Sequence, residues 1–284
     1  MSAARWRAAA LATVLALLAA ALPTPAAASD GINLTGLHVY GGNVWHSENQ
    51  FHLEWDPNPP TEAPSEVRYE LLGAGGWILP GFPQVTVEAG LGSATISVPP
   101  IPGVYLFELW VHKTNEAATP NGPGSVVPLY FDDARAPAVS VSAPAWVAAG
   151  SPVPIRVAPP TAALPVSGIQ GYAVSIDGTA GASPCARADR CASAEVDLPV
   201  GNTVGTISLP APPEGVSYVH AVAVSGSGMD SARAATLAIG VDGTPPQVRL
   251  EGAPAGWAPG PVKVTAVASD PLSGMAAVGP GGPE

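Results

Sequence analysis

Along most of this chain apolar and polar side chains alternate with a period of two, the pattern of a strand with one buried face. Phe51, Leu53 and Trp55 fall on one face, with His52 and Glu54 on the other. Val153, Ile155 and Val157 repeat the stripe 102 residues later, and Val262, Val264 and Ala266 repeat it a further 109 residues on. A tryptophan precedes each stripe (Trp45, Trp146, Trp257), and an aspartate stands at each junction (Asp30, Asp133, Asp242). Self-similarity at this spacing predicts three successive units. Late in the first two, Thr95 to Pro99 leading to Gly103 and Tyr105 matches Thr206 to Pro210 leading to Gly215 and Tyr218. Aligning the tyrosines predicts core-facing stripes at Tyr105, Phe107, Leu109 and Val111, and at Tyr218, His220, Val222 and Val224. His220 then reads as a core histidine in the place of Phe107.

Residues 1–28 break the pattern. Arg5 and Arg7 precede an apolar run from Ala8 to Leu22, and Ala26 to Ala28 before Ser29 fit a small-residue cleavage site, so the segment reads as an N-terminal signal peptide. The run is shorter than the roughly 20 residues a spanning helix needs. The mature chain is therefore expected to be secreted or held at the cell surface, with no membrane insertion. The units that follow are 29–135, 136–243 and 244–284. The last has too few strands to close a sandwich core and is expected to be the truncated start of a third repeat in a longer reading frame.

Composition narrows the class. Gly 32 and Pro 34 make up nearly a quarter of the 284 residues, while hydrophobic residues reach 47% and charged ones only 12%. That is too apolar for a disordered chain and too rich in helix breakers for a helical one. The fold class is all-β: tandem immunoglobulin-like or fibronectin-III-like β-sandwiches. The formal charge of -11, from 11 Lys+Arg against 22 Asp+Glu, argues against nucleic acid and anionic membranes as partners, since both require a basic surface.

Three stretches carry a resemblance. Asp242 to Val248, Gly256-Trp257 before Pro261 to Val264, and Ala268 to Met275 resemble the opening half of bacterial immunoglobulin-like repeats from exported proteins of high-GC bacteria. Val166 to Asp177 resembles the third strand of such repeats, and Gly226 to Met229 the turn after their sixth. The likeness covers residues 133–284; the first unit departs from it and is equally fibronectin-III-like. The resemblance implies spacers, adhesive modules or accessory domains. The expected function is a noncatalytic exported array acting as an extracellular spacer or in adhesion. The alternative is a carbohydrate-binding or accessory region of a secreted glycan-active enzyme whose catalytic domain is absent here.

Chemistry adds little. The sequence holds no G-x-S-x-G, H-E-x-x-H, G-x-G-x-x-G or P-loop, so no catalytic residue and no cofactor is assigned. Cys185 and Cys191, its only cysteines, have a spacing that suits a local disulfide. No histidine lies within 28 residues of either, and no metal site is assigned. Asp132, Asp133 and Asp242 sit at junctions, where turn capping explains them and calcium is the alternative. Aromatic placement is the one functional hint: of 16 aromatic residues after the signal, 12 lie between Asp30 and Arg135. Trp77 and Phe82 fall in a Gly/Pro-rich loop, and Trp110 shares a strand face with Glu108 and His112. These three are the candidate ligand-binding residues, with a polysaccharide or a cell-surface protein as the partner. The competing reading packs the same rings in a second cluster under a long loop.

Overall fold

The computed structural model describes residues 35–56, 65–87, 92–113 and 124–275; residues 1–28, expected from the sequence to be a signal peptide, lie outside them. Two compact units emerge, one of residues up to 44 with 49–130, the other of 45–48 with 131 onward.

In the first unit β1 (His38–Val39), β3 (Phe51–Glu54) and β6 (Ser93–Ile96) form a three-stranded sheet in the order β1-β3-β6. A second sheet runs β8-β7-β4-β5, from β4 (Ser65–Gly73), β5 (Val85–Val87), β7 (Gly103–Lys113) and β8 (Ser125–Phe131); the two-residue β2 (Trp45–His46) is counted with the second unit. The period of two does what it predicts: Phe51, Leu53 and Trp55 are buried, while His52 and Glu54 stay partly open. Phe107 and Leu109 of β7 are fully buried beside Leu71 and Tyr69 of β4, their register partners.

The second unit repeats the plan. β9 (Ser140–Ser142), β11 (Val153–Ala158) and β13 (Gly205–Leu209) pair in the order β13-β11-β9. Opposite them β10 (Trp146–Ala148), β12 (Ile169–Asp177), β14 (Gly215–Ser225) and β15 (Ala235–Asp242) run β10-β15-β14-β12. Val153, Ile155 and Val157 pack on Tyr172, Val174, Val219, Ala221, Ala223 and Ile239 to form the core. β10 lies parallel to β15, with Trp146 opposite Gly240, where a Cβ would overlap the indole ring.

One expectation is overturned. The inward stripe of β14 is Ser217, Val219, Ala221 and Ala223, not Tyr218, His220, Val222 and Val224. Aligning Tyr105 with Tyr218 slipped the register by one residue, and a one-residue slip moves every side chain to the opposite face. Gly103 matches Gly215 without a gap, so Phe107 corresponds to Val219 and Glu108 to His220.

Beyond β15, β16 (Gln247–Glu251) and β17 (Thr265–Ser269) form a two-stranded sheet of their own. Val248, Leu250, Val262 and Val264 are exposed and Trp257 wholly so, whereas the matching Val153, Ile155 and Val157 are buried. Two strands with an uncovered apolar face are marginally stable. Amides of β16 and β17 are accordingly expected to exchange with solvent orders of magnitude faster than those around Ile207 and Val222, as hydrogen exchange will show.

Candidate functional site

The candidate aromatic residues separate. β4 ends at Gly73 and turns back through Ala74, Gly75 and Gly76, with Gly76 at a left-handed φ of 80°. The turn closes through Gly76 N–H to Gly73 O at 2.9 Å and Gly73 N–H to Trp77 O at 3.0 Å. The glycines do more than turn the chain. A Cβ on Gly73 would come within 2.7 Å of Trp77 Nε1, and one on Gly75 would overlap the ring, so the indole sits close against bare backbone. Its outer face is open: Trp77 is 63% exposed.

Phe82 is half-buried and lines a cleft of about 210 Å³ with Tyr69, Leu71, Pro83, Val85 and Ile96, between the two sheets at their β5 and β6 edges. Trp110 is withdrawn from the set. It is only 4% exposed, although it points to the outer face as the alternation requires, and so offers no platform. Its register partner is Arg68, and its Nε1 has no hydrogen-bond acceptor among the described residues. On the same face Glu70 stands directly opposite Glu108. Burial, and then the Glu70 charge, push the Glu108 carboxyl above its ordinary value. Gln84 Nε2 donates to Glu70 at 3.0 Å.

Cys185 and Cys191 form the expected disulfide, with Cα atoms 5.1 Å apart. Its surroundings were not foreseen. The loop carrying it covers the outer face of β12 and β14, where the two sulfurs join Ala173, Val222 and Val224 in a second small core. Glu195 braces the loop from within by accepting N–H bonds from Ala186 at 2.8 Å and Ala192 at 2.6 Å, which hold its carboxyl below the ordinary carboxylate range. Arg135 ties the loop to the sandwich: its guanidinium pairs with the buried Asp230 carboxylate and also donates to the carbonyls of Ala188, Asp230 and Ser231. Asp230 sits within 4.8 Å of both sulfurs, the one cluster of potential metal ligands among the described residues. Disulfide sulfurs carry no thiolate, so the cluster lacks the charge a metal requires. His220, on the same face of β14 as Val222, is fully buried, its Nδ1 3.1 Å from Thr236 Oγ1 and its Nε2 3.6 Å from Asp177 Oδ1.

A closed ring of seven residues gives about 2.4 kcal/mol in the chain-entropy account. Replacing both cysteines by serine should therefore lower stability by a few kcal/mol at most and leave the sandwich folded. Denaturant unfolding of the oxidised protein and the double variant checks this. The same pair explains why sequence reasoning missed Arg135 and Asp230. They lie 95 residues apart, and the only signal is a lone cation just inside a unit of an acidic chain.

The junction aspartates act as hydrogen-bond acceptors. Asp132, fully buried, receives Ala134 N–H at 3.0 Å and Ser167 N–H at 2.7 Å, one on each oxygen. Asp133 is exposed, so Asp132 is the one equivalent to Asp242.

The strand order of both units defines the class: all-β sandwiches of the immunoglobulin and fibronectin-III type. No protein-family model matches the chain, and no curated protein does. Among solved structures it is similar to the FN1–FN3 domains of chicken CNTN1, at 14% identity over 74% of this chain and 67% of that one, with a TM-score of 0.38. A two-domain fibronectin type-III segment of chicken tenascin is 13% identical over 73% of this chain and 99% of its own, with a TM-score of 0.31.

Proposed function

We propose that this chain is a noncatalytic, exported array of β-sandwich repeats that serves as an extracellular spacer or in adhesion. The observation that carries the reading is where the buried polar groups are spent. Asp132, Asp230 and Ser231 each hold strand ends, turns or the disulfide loop in place, a use of buried polarity that secures a fold. The disulfide and the absence of a membrane-crossing helix among the described residues are compatible with a secreted protein.

A second reading, recognition of a polysaccharide, is favoured by Trp77. A sugar presents a C–H face that packs on an aromatic plane and needs no opposite charge, which suits an acidic protein. A ring already laid on glycine backbone loses little freedom on binding. A glycan screen with the intact chain is expected to give a ligand whose affinity falls about tenfold or more in Trp77→Ala, with the fold unchanged by circular dichroism. Gly75→Ala, which displaces the ring without removing it, should weaken the same ligand. A flat screen on folded protein leaves the spacer reading alone.

A further inference from the structure

We propose that the aspartate closing the last strand before each repeat is a lead-in clamp, part of the fold of the repeat it introduces. The arrangement occurs twice. Asp132 Oδ1 accepts Ala134 N–H, two residues on, at 3.0 Å, and its Oδ2 accepts Ser167 N–H at 2.7 Å. Asp242 Oδ1 accepts Thr244 N–H, again two residues on, at 2.8 Å, and its Oδ2 accepts Ser273 N–H at 3.0 Å, a donor it shares with Asp270 Oδ1 at 3.2 Å. Each serine is followed by a left-handed glycine, Gly168 at φ 72° and Gly274 at φ 75°.

The two turns have matching sequences, Val166-Ser167-Gly168 and Leu272-Ser273-Gly274. In the second unit the turn joins β11 to β12 and is fastened again by Gly168 N–H to Pro165 O at 3.0 Å and Gly226 N–H to Gly168 O at 3.1 Å. The carboxylate thus pins the incoming chain to a turn 35 residues ahead in one case and 31 in the other. Each oxygen is thus engaged by a backbone donor, the turn-capping use of an aspartate. For Asp242 the Ser273 hydroxyl, then the Thr244 N–H, hold the carboxyl below the ordinary range. The working repeats therefore begin at Asp132 and Asp242, ahead of the boundaries at 136 and 244 that hydrophobic patterning suggests.

The test is site-resolved hydrogen exchange on the full chain. Asp132→Ala should speed exchange in the 165–168 turn about tenfold or more and leave the 272–274 turn unchanged; Asp242→Ala should do the reverse. Asp→Asn, which keeps one acceptor oxygen, should give a smaller change at the same turn. Retained protection in both turns, or equal loosening of both by either variant, would overturn the clamp. Should Asp132→Ala not fold, Asp132→Asn decides at the 165–168 turn, which lies against the buried core of the second unit.

Discussion

Arg135→Ala should cost about 3–5 kcal/mol, because it strands a buried carboxylate. Asp230 is 2% exposed, and its best partner is the Arg135 guanidinium, which also holds three loop carbonyls. Burial already holds the Asp230 carboxyl above its ordinary value, with Arg135 pulling the other way. An acid whose folded pKa is raised binds its proton more tightly folded than unfolded. Its penalty is therefore greatest at high pH and fades as pH falls through the folded pKa toward the unfolded value of about 3.9. Without Arg135 the rise is larger. The variant should show its full deficit at neutral pH and recover part of it on acidification, more than wild type does over the same range. Replacing both partners, Arg135→Met with Asp230→Leu, should return most of the loss, since neither charge is then stranded. Urea unfolding at several pH values measures all three.

Phe107→Ala should destabilise the first unit by about 3–5 kcal/mol. The side chain is fully buried, and its ring lies 5.0 Å from that of Tyr69. Val219→Ala is the matched change in the second unit, smaller because fewer atoms are removed. His220→Ala tests the corrected register: it acts on the face beneath the disulfide loop and should loosen residues 185–191 in hydrogen exchange before it loosens β11. Were the sandwich core around Ile155 to loosen first, the histidine would belong to the inward stripe after all.

The sandwich was legible because its information is local. Phe51 to Trp55 and Val153 to Val157 state their buried faces in five residues each, and the cysteine spacing states a bond. What failed depended on what lies above a face. Alternation put Trp110 and His220 on definite sides of their strands but could not say that those sides are covered. For Val222 and Val224, on the same face as His220, the cover is the disulfide loop, whose own sequence is polar. Pairing Tyr105 with Tyr218 leaves Ser217 as an extra residue, whereas Gly103 and Gly215 align the two strands without a gap. Trp77 was legible as a loop aromatic; that it rests on its own turn came only from the positions of Gly73 and Gly75.

The parallel pairing of β10 with β15 has a mechanical side. These are strands near the beginning and at the end of the second unit, joined over Trp146 to Ala148 against Gly240 to Asp242 and flanked by Gly240 N–H to Ala145 O and Ala149 N–H to Asp242 O, both 2.8 Å. Tension applied to the two ends of the unit pulls such strands lengthwise past each other. The rungs are loaded together in shear instead of being peeled one at a time, and survival under load follows the rate of that concerted rupture. A strand too short to contribute much to equilibrium stability can in this way govern how long the repeat withstands a pull.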